Sequence, residues 1–406
     1  MNATATLRRI DSPLAPLAVA LPMATLFVVA RWLDAAHRQL GQFVVAGSLY
    51  VSRTRTPPNL PVGPGSGYDG QFYYRLALNP FDLARSAFGI RFDSYSRVER
   101  IGYPFLAWLV ARGHHASVPL ALVIVNVLAC ALLALAGGLV AKSVGRHALW
   151  GLIFAGYWGY LWTMGRDLSE LTTAALVMLG FAALLRQAPI WSGIAFLGAV
   201  LSKETAVLLV GTIAVVTLWQ RVAGHEGGPA SIIGPAPPIG PGLGRALTPR
   251  RSDLAFLLPL IGFVVWQLVL VGATGHLPIY KSGGENLGLP FVGMAHGISH
   301  YLSIFPTIAS ALWIGEFVAL VLLAVAAGLS FRQSPLEFRA LWIVSVVLGL
   351  SAATGIWLGD VGFRSLDDVF LLSCVLLLYR SRPIWPLAVL GGGMWCAVAV
   401  ELVRYL

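Results

Sequence analysis

Long apolar runs alternate with short polar connections along nearly the whole chain. A helix that crosses the hydrocarbon core of a bilayer needs about 20 apolar residues. The runs that approach this length are 14–33, 118–141, 148–164, 169–186, 188–202, 205–222, 254–273, 310–329, 338–358, 366–379 and 383–402. No ten-residue segments of alternating polarity recur, so membrane strands are not expected. The pattern predicts an all-α polytopic membrane protein with about 11 transmembrane helices.

Two polar stretches interrupt this pattern. Residues 34–117 predict a long first extracytoplasmic loop, and the short apolar run 100–113 within it predicts an interfacial helix with Tyr103 and Trp108 at headgroup level. Residues 224–249 are rich in Gly and Pro and predict a flexible cytoplasmic linker. We therefore expect an N-terminal membrane module at 1–222 with a catalytic site in its first loop, a linker at 223–253, and a C-terminal membrane module at 254–406.

Composition and charge support a membrane location. The 406 residues are 57% hydrophobic and 11% charged, whereas soluble domains carry about 25% charged residues. The net charge of +10 does not indicate nucleic-acid binding, because the basic residues are dispersed between apolar runs. Placing the N-terminus in the cytoplasm gives every inner connection a Lys or Arg. We expect a multi-pass membrane protein with a cytoplasmic N-terminus, whose carboxylates gather on the outer face.

The stretch YDGQFYYRLALNP places Asp69 soon after the first span. Gly70 lets the backbone turn tightly beside this acid, and the aromatic side chains offer a platform for a sugar ring. The alternative is an ordinary N-cap, in which Asp69 caps the helix that follows. The nearby stretch RFDSYSRVERIGYP holds Arg97 and Arg100, which either pair with neighbouring acids or bind phosphate oxygens.

Three further clusters lie at predicted outer ends of spans. Asp167 and Glu170 have a spacing that puts both on one helix face, where they would cap the helix, orient substrate or hold a divalent ion. Lys203 and Glu204 lie between two apolar runs, and Lys203 would either snorkel to the interface or neutralise a phosphate. Arg364 lies near acids at a helix start, which indicates either a capped, ion-paired helix end or a binding residue.

An acid soon after the first span, a YP helix, a second outer acid pair and the KET turn together resemble the GT-C class of membrane glycosyltransferases. These enzymes use polyprenyl-phosphate sugars on the non-cytoplasmic face. YDGQFYYRLALNP followed by RIGYPFLAWL is similar to a bacterial group linked to cell-surface glycopolymer formation, and this resemblance implies the bacterial inner membrane as the location. The resemblance covers 14–222 and matches the C-terminal half only as further spans and the Arg364 region.

The resemblance implies an integral-membrane glycosyltransferase, transferring a hexosyl or pentosyl group to a hydroxyl acceptor in cell-envelope glycan or glycolipid synthesis. It assigns Asp69 as the general base, Asp167 and Glu170 to substrate, and Lys203 and Arg364 to the donor phosphate. On chemical grounds we add the remaining candidates. These are Arg97 and Arg100 for phosphate, and Glu204, Tyr68, Gln71 and Tyr103 for substrate.

Direct displacement with the base opposite the leaving group would invert the anomeric configuration. The expected partners are a polyprenyl-phosphate sugar, a glycan or glycolipid acceptor and membrane lipids. No metal site is predicted, although a divalent ion is compatible with the acids. The main alternative is a transporter or flippase for polyprenyl-linked glycans, which would also need charged groups in a membrane cavity.

Overall fold

A computed structural model describes residues 11–57, 59–223, 232, 250–358, 362–380, 384–385, 387–393 and 395–396. Within these ranges the strands are two short pairs. Ala46–Gly47 (β1) pairs in parallel with Val62–Gly63 (β2), and Ser86–Ala87 (β3) pairs in antiparallel fashion with Ile90–Arg91 (β4). Nearly all other regular structure is helical, which confirms the predicted helical class.

The α-helices are numbered in chain order. They are α1 Leu14–Leu33, α2 Gly70–Leu78, α3 Gly102–Ala111, α4 Val118–Ser143, α5 Gly151–Ala155, α6 Trp158–Met164, α7 Glu170–Leu185, α8 Pro189–Ser202, α9 Ala206–Val222, α10 Leu254–Thr274, α11 Pro278–Asn286, α12 Val292–Ser303, α13 Ile308–Leu329, α14 Leu336–Leu350, α15 Thr354–Leu358 and α16 Asp367–Leu378. Two 3₁₀ turns, Tyr95–Glu99 and Gly362–Leu366, carry side chains of the site described below.

Among the described residues, four helical segments are long and apolar enough to cross a bilayer: Leu14–Leu33, His115–Ser143, Arg251–Thr274 and Ile308–Leu329. Large apolar side chains on α10 and α13, such as Val264, Leu268 and Val325, point away from the protein interior. Exposed apolar helix faces of this kind are suited to lipid. The chain is therefore a multi-pass membrane protein, and the count of eleven spans stays a prediction.

Two predicted boundaries were wrong. The run 148–164 is not one span, because Gly156 ends α5 and Tyr157 is extended before α6 begins. The buried Tyr157 hydroxyl donates to the Phe363 carbonyl, which fixes this break against the 362–366 turn. The run 338–358 divides into α14 and α15, and the connection between the predicted spans 254–273 and 310–329 contains α11 and α12. In the runs 148–164 and 338–358, apolar composition indicated removal from water but did not specify where a helix breaks.

The first loop has a hydrophobic core of its own. Phe72, Tyr73, Ile90 and Leu122 are buried in one cluster, so α2, α3 and the β-pairs pack onto the start of α4. Tyr103 lies in this cluster with no exposed surface, and its hydroxyl donates to the Leu122 carbonyl at 3.1 Å and accepts from Asn126 at 2.9 Å. The expectation that Tyr103 lies at headgroup level was therefore wrong.

The second and larger core joins the two predicted modules. It contains Ala134 on α4, Phe181 on α7, Phe338 on α14 and Cys374 on α16. Phe181 and Phe338 meet edge to face with ring centroids 5.2 Å apart. Helices from both halves therefore form one packed bundle, which brings the polar turns at one end of it together. The predicted linker 223–253 lies largely outside the described residues.

Candidate active site

A cavity of about 140 Å³ lies where several helix starts and turns meet. Its charged lining comes from positions more than 290 residues apart in sequence, whereas α14 and α15 contribute an apolar wall that includes Leu348, Ala352 and Ile356. The charged side chains of the lining are Asp69, Arg97, Arg100, Glu170, Lys203, Glu204, Arg364 and Asp368. The structure thus brings most of the predicted site residues to a single cavity.

Asp69 is the residue before α2, but its side chain makes no capping hydrogen bond. Instead its Oδ1 lies 3.0 Å from Arg97 Nη1 and its Oδ2 lies 3.5 Å from Arg364 Nη2. A Cβ on Gly70 would overlap the carbonyl oxygen of Arg166, so only glycine allows the start of α2 to approach so closely. Burial raises the pKa of Asp69, but Arg97, Arg364 and Arg100 outweigh burial and hold it below its usual value.

Arg364 links two acids of the cavity. Its Nη1 contacts Glu170 Oε1, its Nη2 reaches Asp69, and its Nε lies 3.3 Å from the Tyr68 hydroxyl. Tyr68 does not line the cavity but holds the guanidinium in position, with its ring centroid 5.4 Å from the Arg364 Cζ. Asp69 and Glu170, predicted from separate loops, are therefore joined by one cation.

Arg97 and Arg100 are ion-paired with neighbouring acids and also line the cavity, while their binding of phosphate stays a prediction. Arg97 donates to both oxygens of Asp93 at 2.9 Å in addition to its contact with Asp69. Arg100 binds both oxygens of Glu204, at 2.7 and 2.6 Å, and donates to the Tyr73 hydroxyl at 3.2 Å. Burial lowers the pKa of each arginine, but the neighbouring carboxylates raise it by more than burial lowers it, so both arginines stay charged.

Lys203 lies in the turn between α8 and α9, and its Nζ donates to Asp367 Oδ1 at 3.2 Å. Burial lowers the pKa of Lys203, but Asp367 and Asp368 outweigh burial and raise it. The ammonium group has three donors, and it makes one hydrogen bond to the described residues. Lys203 therefore keeps donors for a ligand.

Besides Tyr68, three predicted site residues do not line the cavity. The Gln71 amide accepts from the Gly47 N–H at 3.0 Å and donates to the Ser66 carbonyl at 2.8 Å. It therefore stabilises the backbone of the first loop and does not face the cavity. Tyr103 is held by Leu122 and Asn126, as described above. Asp167 is fully buried, and neither of its carboxylate oxygens has a hydrogen-bond partner among the described residues.

The prediction that Asp167 and Glu170 share a face failed because Asp167 precedes α7 in a turn with a left-handed backbone, at φ 50°. Glu170 is the first residue of α7 and faces the cavity, while Asp167 faces the interior. Burial raises the pKa of Asp167 well above its usual value, and Arg31 offsets this only in part. The proposed metal role of this acid pair loses its geometric basis.

Asp368, Asn286 and Ser345 also line the cavity, although the sequence predicts no role for them there. Asp367 and Asp368 belong to the acids near Arg364 at the predicted helix start, and only the packing of α16 brings them to Lys203. Nothing in the local sequence distinguishes Asn286 or Ser345 from other polar residues.

No protein-family model matches the chain, and no curated protein matches its sequence. The structure is similar to the crystal structure of the oligosaccharyltransferase from Archaeoglobus fulgidus tethered to an acceptor peptide containing an NVT sequon. The two chains are 13% identical with a TM-score of 0.47, and the match covers 96% of this chain and 55% of that chain. This chain therefore spans about half the length of that protein, and the likeness at this level assigns no activity.

Proposed function

We propose that this protein is a membrane glycosyltransferase of the GT-C type. It would transfer a sugar from a polyprenyl-phosphate donor to a hydroxyl acceptor on the extracytoplasmic face, in cell-envelope glycan or glycolipid synthesis. The observation that carries the proposal is the cavity that places the Asp69 carboxylate beside Lys203 and three arginines. Such a site combines a proton acceptor with cations suited to a phosphate leaving group.

Asp69 is proposed as the general base. Its lowered pKa keeps the carboxylate ionised at neutral pH, so it is ready to accept the proton of an acceptor hydroxyl. The arginines that keep it ionised also make it a weaker base. We infer that binding of the donor phosphate draws Arg364 away from Asp69, across their long 3.5 Å contact, which increases the basicity of Asp69 when both substrates are present.

Lys203 is proposed as the main contact to the donor phosphate. The charged lining contains four cations and four carboxylates, so it is balanced overall, and most of its arginines already hold an acid in two-point contacts. The ammonium of Lys203 instead holds its acid through one hydrogen bond, so two of its three donors stay available for a phosphate oxygen. It would stabilise charge that develops on the phosphate as the glycosidic bond breaks.

The experiment compares Asp69→Asn with Asp93→Asn in purified protein supplied with polyprenyl-phosphate sugars that carry labelled hexoses and pentoses. Both carboxylates bind Arg97, but Asp93 does not line the cavity, which makes it a matched control. A general base contributes about 100-fold or more. We expect D69N to lose at least about 100-fold in transfer rate with donor binding retained, and D93N to lose less than about tenfold.

Transfer by D69N at the rate of the unaltered protein would exclude the base assignment. Equal losses in D69N and D93N would show that both acids act only by holding Arg97. Addition of a chelator in the same assay tests whether a divalent ion takes part, and nuclear magnetic resonance of the product's anomeric proton tests for inversion.

A further inference from the structure

Two adjoining cavities lie at the turn between α7 and α8, at the end of α7 that is remote from Glu170. Their volumes are about 900 and 430 Å³, and Ala188 and Trp191 line both. The remaining walls are mainly apolar, with Leu184 and Ile190 in the larger cavity and Leu179 in the smaller one. Trp191 is 70% exposed and stands between the two cavities.

Each cavity has one arginine in its lining, Arg251 in the larger and Arg186 in the smaller. Both are exposed, and neither makes a hydrogen bond or ion pair through its guanidinium to any residue that the structure describes. Arg221 nearby differs, because its guanidinium contacts Asp253 and Ser252. No Asp or Glu of the described chain lines either cavity, so their charge is purely positive.

We propose that these two cavities form a binding site for one anionic diacyl phospholipid. Its phosphate would lie between Arg186 and Arg251, where guanidinium groups can donate paired hydrogen bonds to phosphate oxygens. Two apolar cavities flanking Trp191 match the two chains of a diacyl lipid better than the single chain of a polyprenyl carrier. Basic pockets between membrane helices are also known sites for anionic headgroups.

The proposed lipid site is separate from the charged cavity that Asp69 and Lys203 line. The 16 residues of α7 span about 24 Å between Glu170 and Leu185. On the predicted topology the lipid site faces the cytoplasm, whereas the charged cavity faces the opposite side. A lipid at this turn would brace α7 and α8, and these two helices carry Glu170 and lead into Lys203 and Glu204.

The test is native mass spectrometry of the delipidated full-length protein titrated with phosphatidylglycerol or with phosphatidylcholine of the same acyl chains. Two basic residues near an anionic headgroup increase the affinity for that lipid about 30-fold, which corresponds to about 2 kcal/mol. We expect one phosphatidylglycerol to be retained about 30-fold more tightly than phosphatidylcholine. The double variant R186Q/R251Q should lose this preference, and R186K/R251K should keep most of it.

The matched control is Arg332→Gln, which removes an exposed arginine at another connection on the same predicted face. It should leave the preference unchanged. Equal retention of the two lipids by the unaltered protein would overturn the proposal, as would an equal loss in R332Q. Displacement of phosphatidylglycerol by polyprenyl phosphate at comparable concentration would also overturn it, because the occupant would then be a single-chain carrier.

Discussion

Asp69 and Asp167 lie in neighbouring turns, yet the protein shifts their pKa values in opposite directions. The start of α2 at Gly70 packs closely on the Arg166 carbonyl, so these turns touch. Asp69 is partly exposed beside Arg97 and Arg364, which hold its pKa down. Asp167 is fully buried without a hydrogen-bond partner among the described residues, and burial raises its pKa. The two acids thus differ in whether a guanidinium contacts the carboxylate directly, as Arg97 and Arg364 contact Asp69. Only Asp69 is suited to accept a proton.

Arg364 is the cation that joins Asp69 to Glu170, and its removal should give the largest effect beyond loss of Asp69 itself. In Arg364→Gln, Asp69 and Glu170 lose their shared partner, and the donor loses a phosphate contact. We expect transfer to fall about 100-fold. Because Arg364 lowers the pKa of Asp69 in the free enzyme, that pKa should rise in the variant, and the acidic limb of the kcat/KM profile, which reports the free enzyme, should move to higher pH.

Measurement of transfer rates from about pH 5 to about pH 9 checks this shift. Arg364→Lys is the control, because it keeps a positive charge while losing the paired donors. The lysine variant should keep the acidic limb near its original position and lose less activity. An unshifted acidic limb in the glutamine variant would show that Arg364 does not set the ionisation of Asp69.

The sequence did not predict the difference between the two acids, but it predicted much of the helical fold. The predicted spans at 14–33, 169–186 and 254–273 match α1, α7 and α10 within a residue at each end, because apolar length alone defines such helices. The helix after Asp69 was also predicted, although not the orientation of the Asp69 carboxylate. Local patterns define where a helix starts, but they do not reveal which side chains converge on it.

Arg364 and Asp368 lie about 300 residues beyond Asp69, and only the packing of α16 and the 362–366 turn brings them to the same cavity. The left-handed backbone at Asp167 lies next to the close approach of Gly70 to the Arg166 carbonyl, and neither is visible in local spacing, so helical spacing gave the wrong face for this acid. Convergence at an end of a helix bundle is a tertiary property. The asymmetry of charge across the membrane indicated that a site exists, while its composition required the structure.

A third acid, Glu204, sharpens the comparison because it is buried like Asp167 but paired like Asp69. Arg100 holds both of its oxygens, and this pair outweighs burial to lower the pKa of Glu204. Removing one partner of a buried ion pair leaves the other charge unpaired, which costs about 3 kcal/mol. Glu204→Gln should therefore lower the free energy of unfolding by about 3 kcal/mol and reduce transfer through misplacement of Arg100.

Thermal unfolding in detergent checks this prediction, with the double variant R100Q/E204Q as the control. The double variant should recover part of the lost stability, because it leaves no unpaired charge. Since the folded-state pKa is lowered, the stability due to Glu204 is present above its unfolded-state pKa of 4.5 and is lost as the pH falls through the folded-state value. Equal stability of E204Q and the unaltered protein at neutral pH would contradict the assignment.

The smallest effect on activity is expected at Asp167, where substitution to Asn removes a charge that the folded protein disfavours. Asn tolerates the left-handed backbone at φ 50° and preserves the side-chain shape. The unfolded state releases the proton above about pH 3.8, whereas burial keeps it bound in the folded state. Stability due to Asp167 is therefore complete below that pH and declines as the pH rises toward the folded-state pKa.

D167N should accordingly unfold at a higher temperature than the unaltered protein at about pH 8 and at a similar temperature at about pH 4. The gain at the higher pH should be about 1–2 kcal/mol, with transfer changed by less than about threefold. Asp167→Ala is the control for the backbone, since alanine tolerates a positive φ less well than Asn and should destabilise at both pH values. A loss of transfer in D167N as large as that in D69N would mean that the buried acid also takes part in the reaction, and the distinction between the two turns would fail.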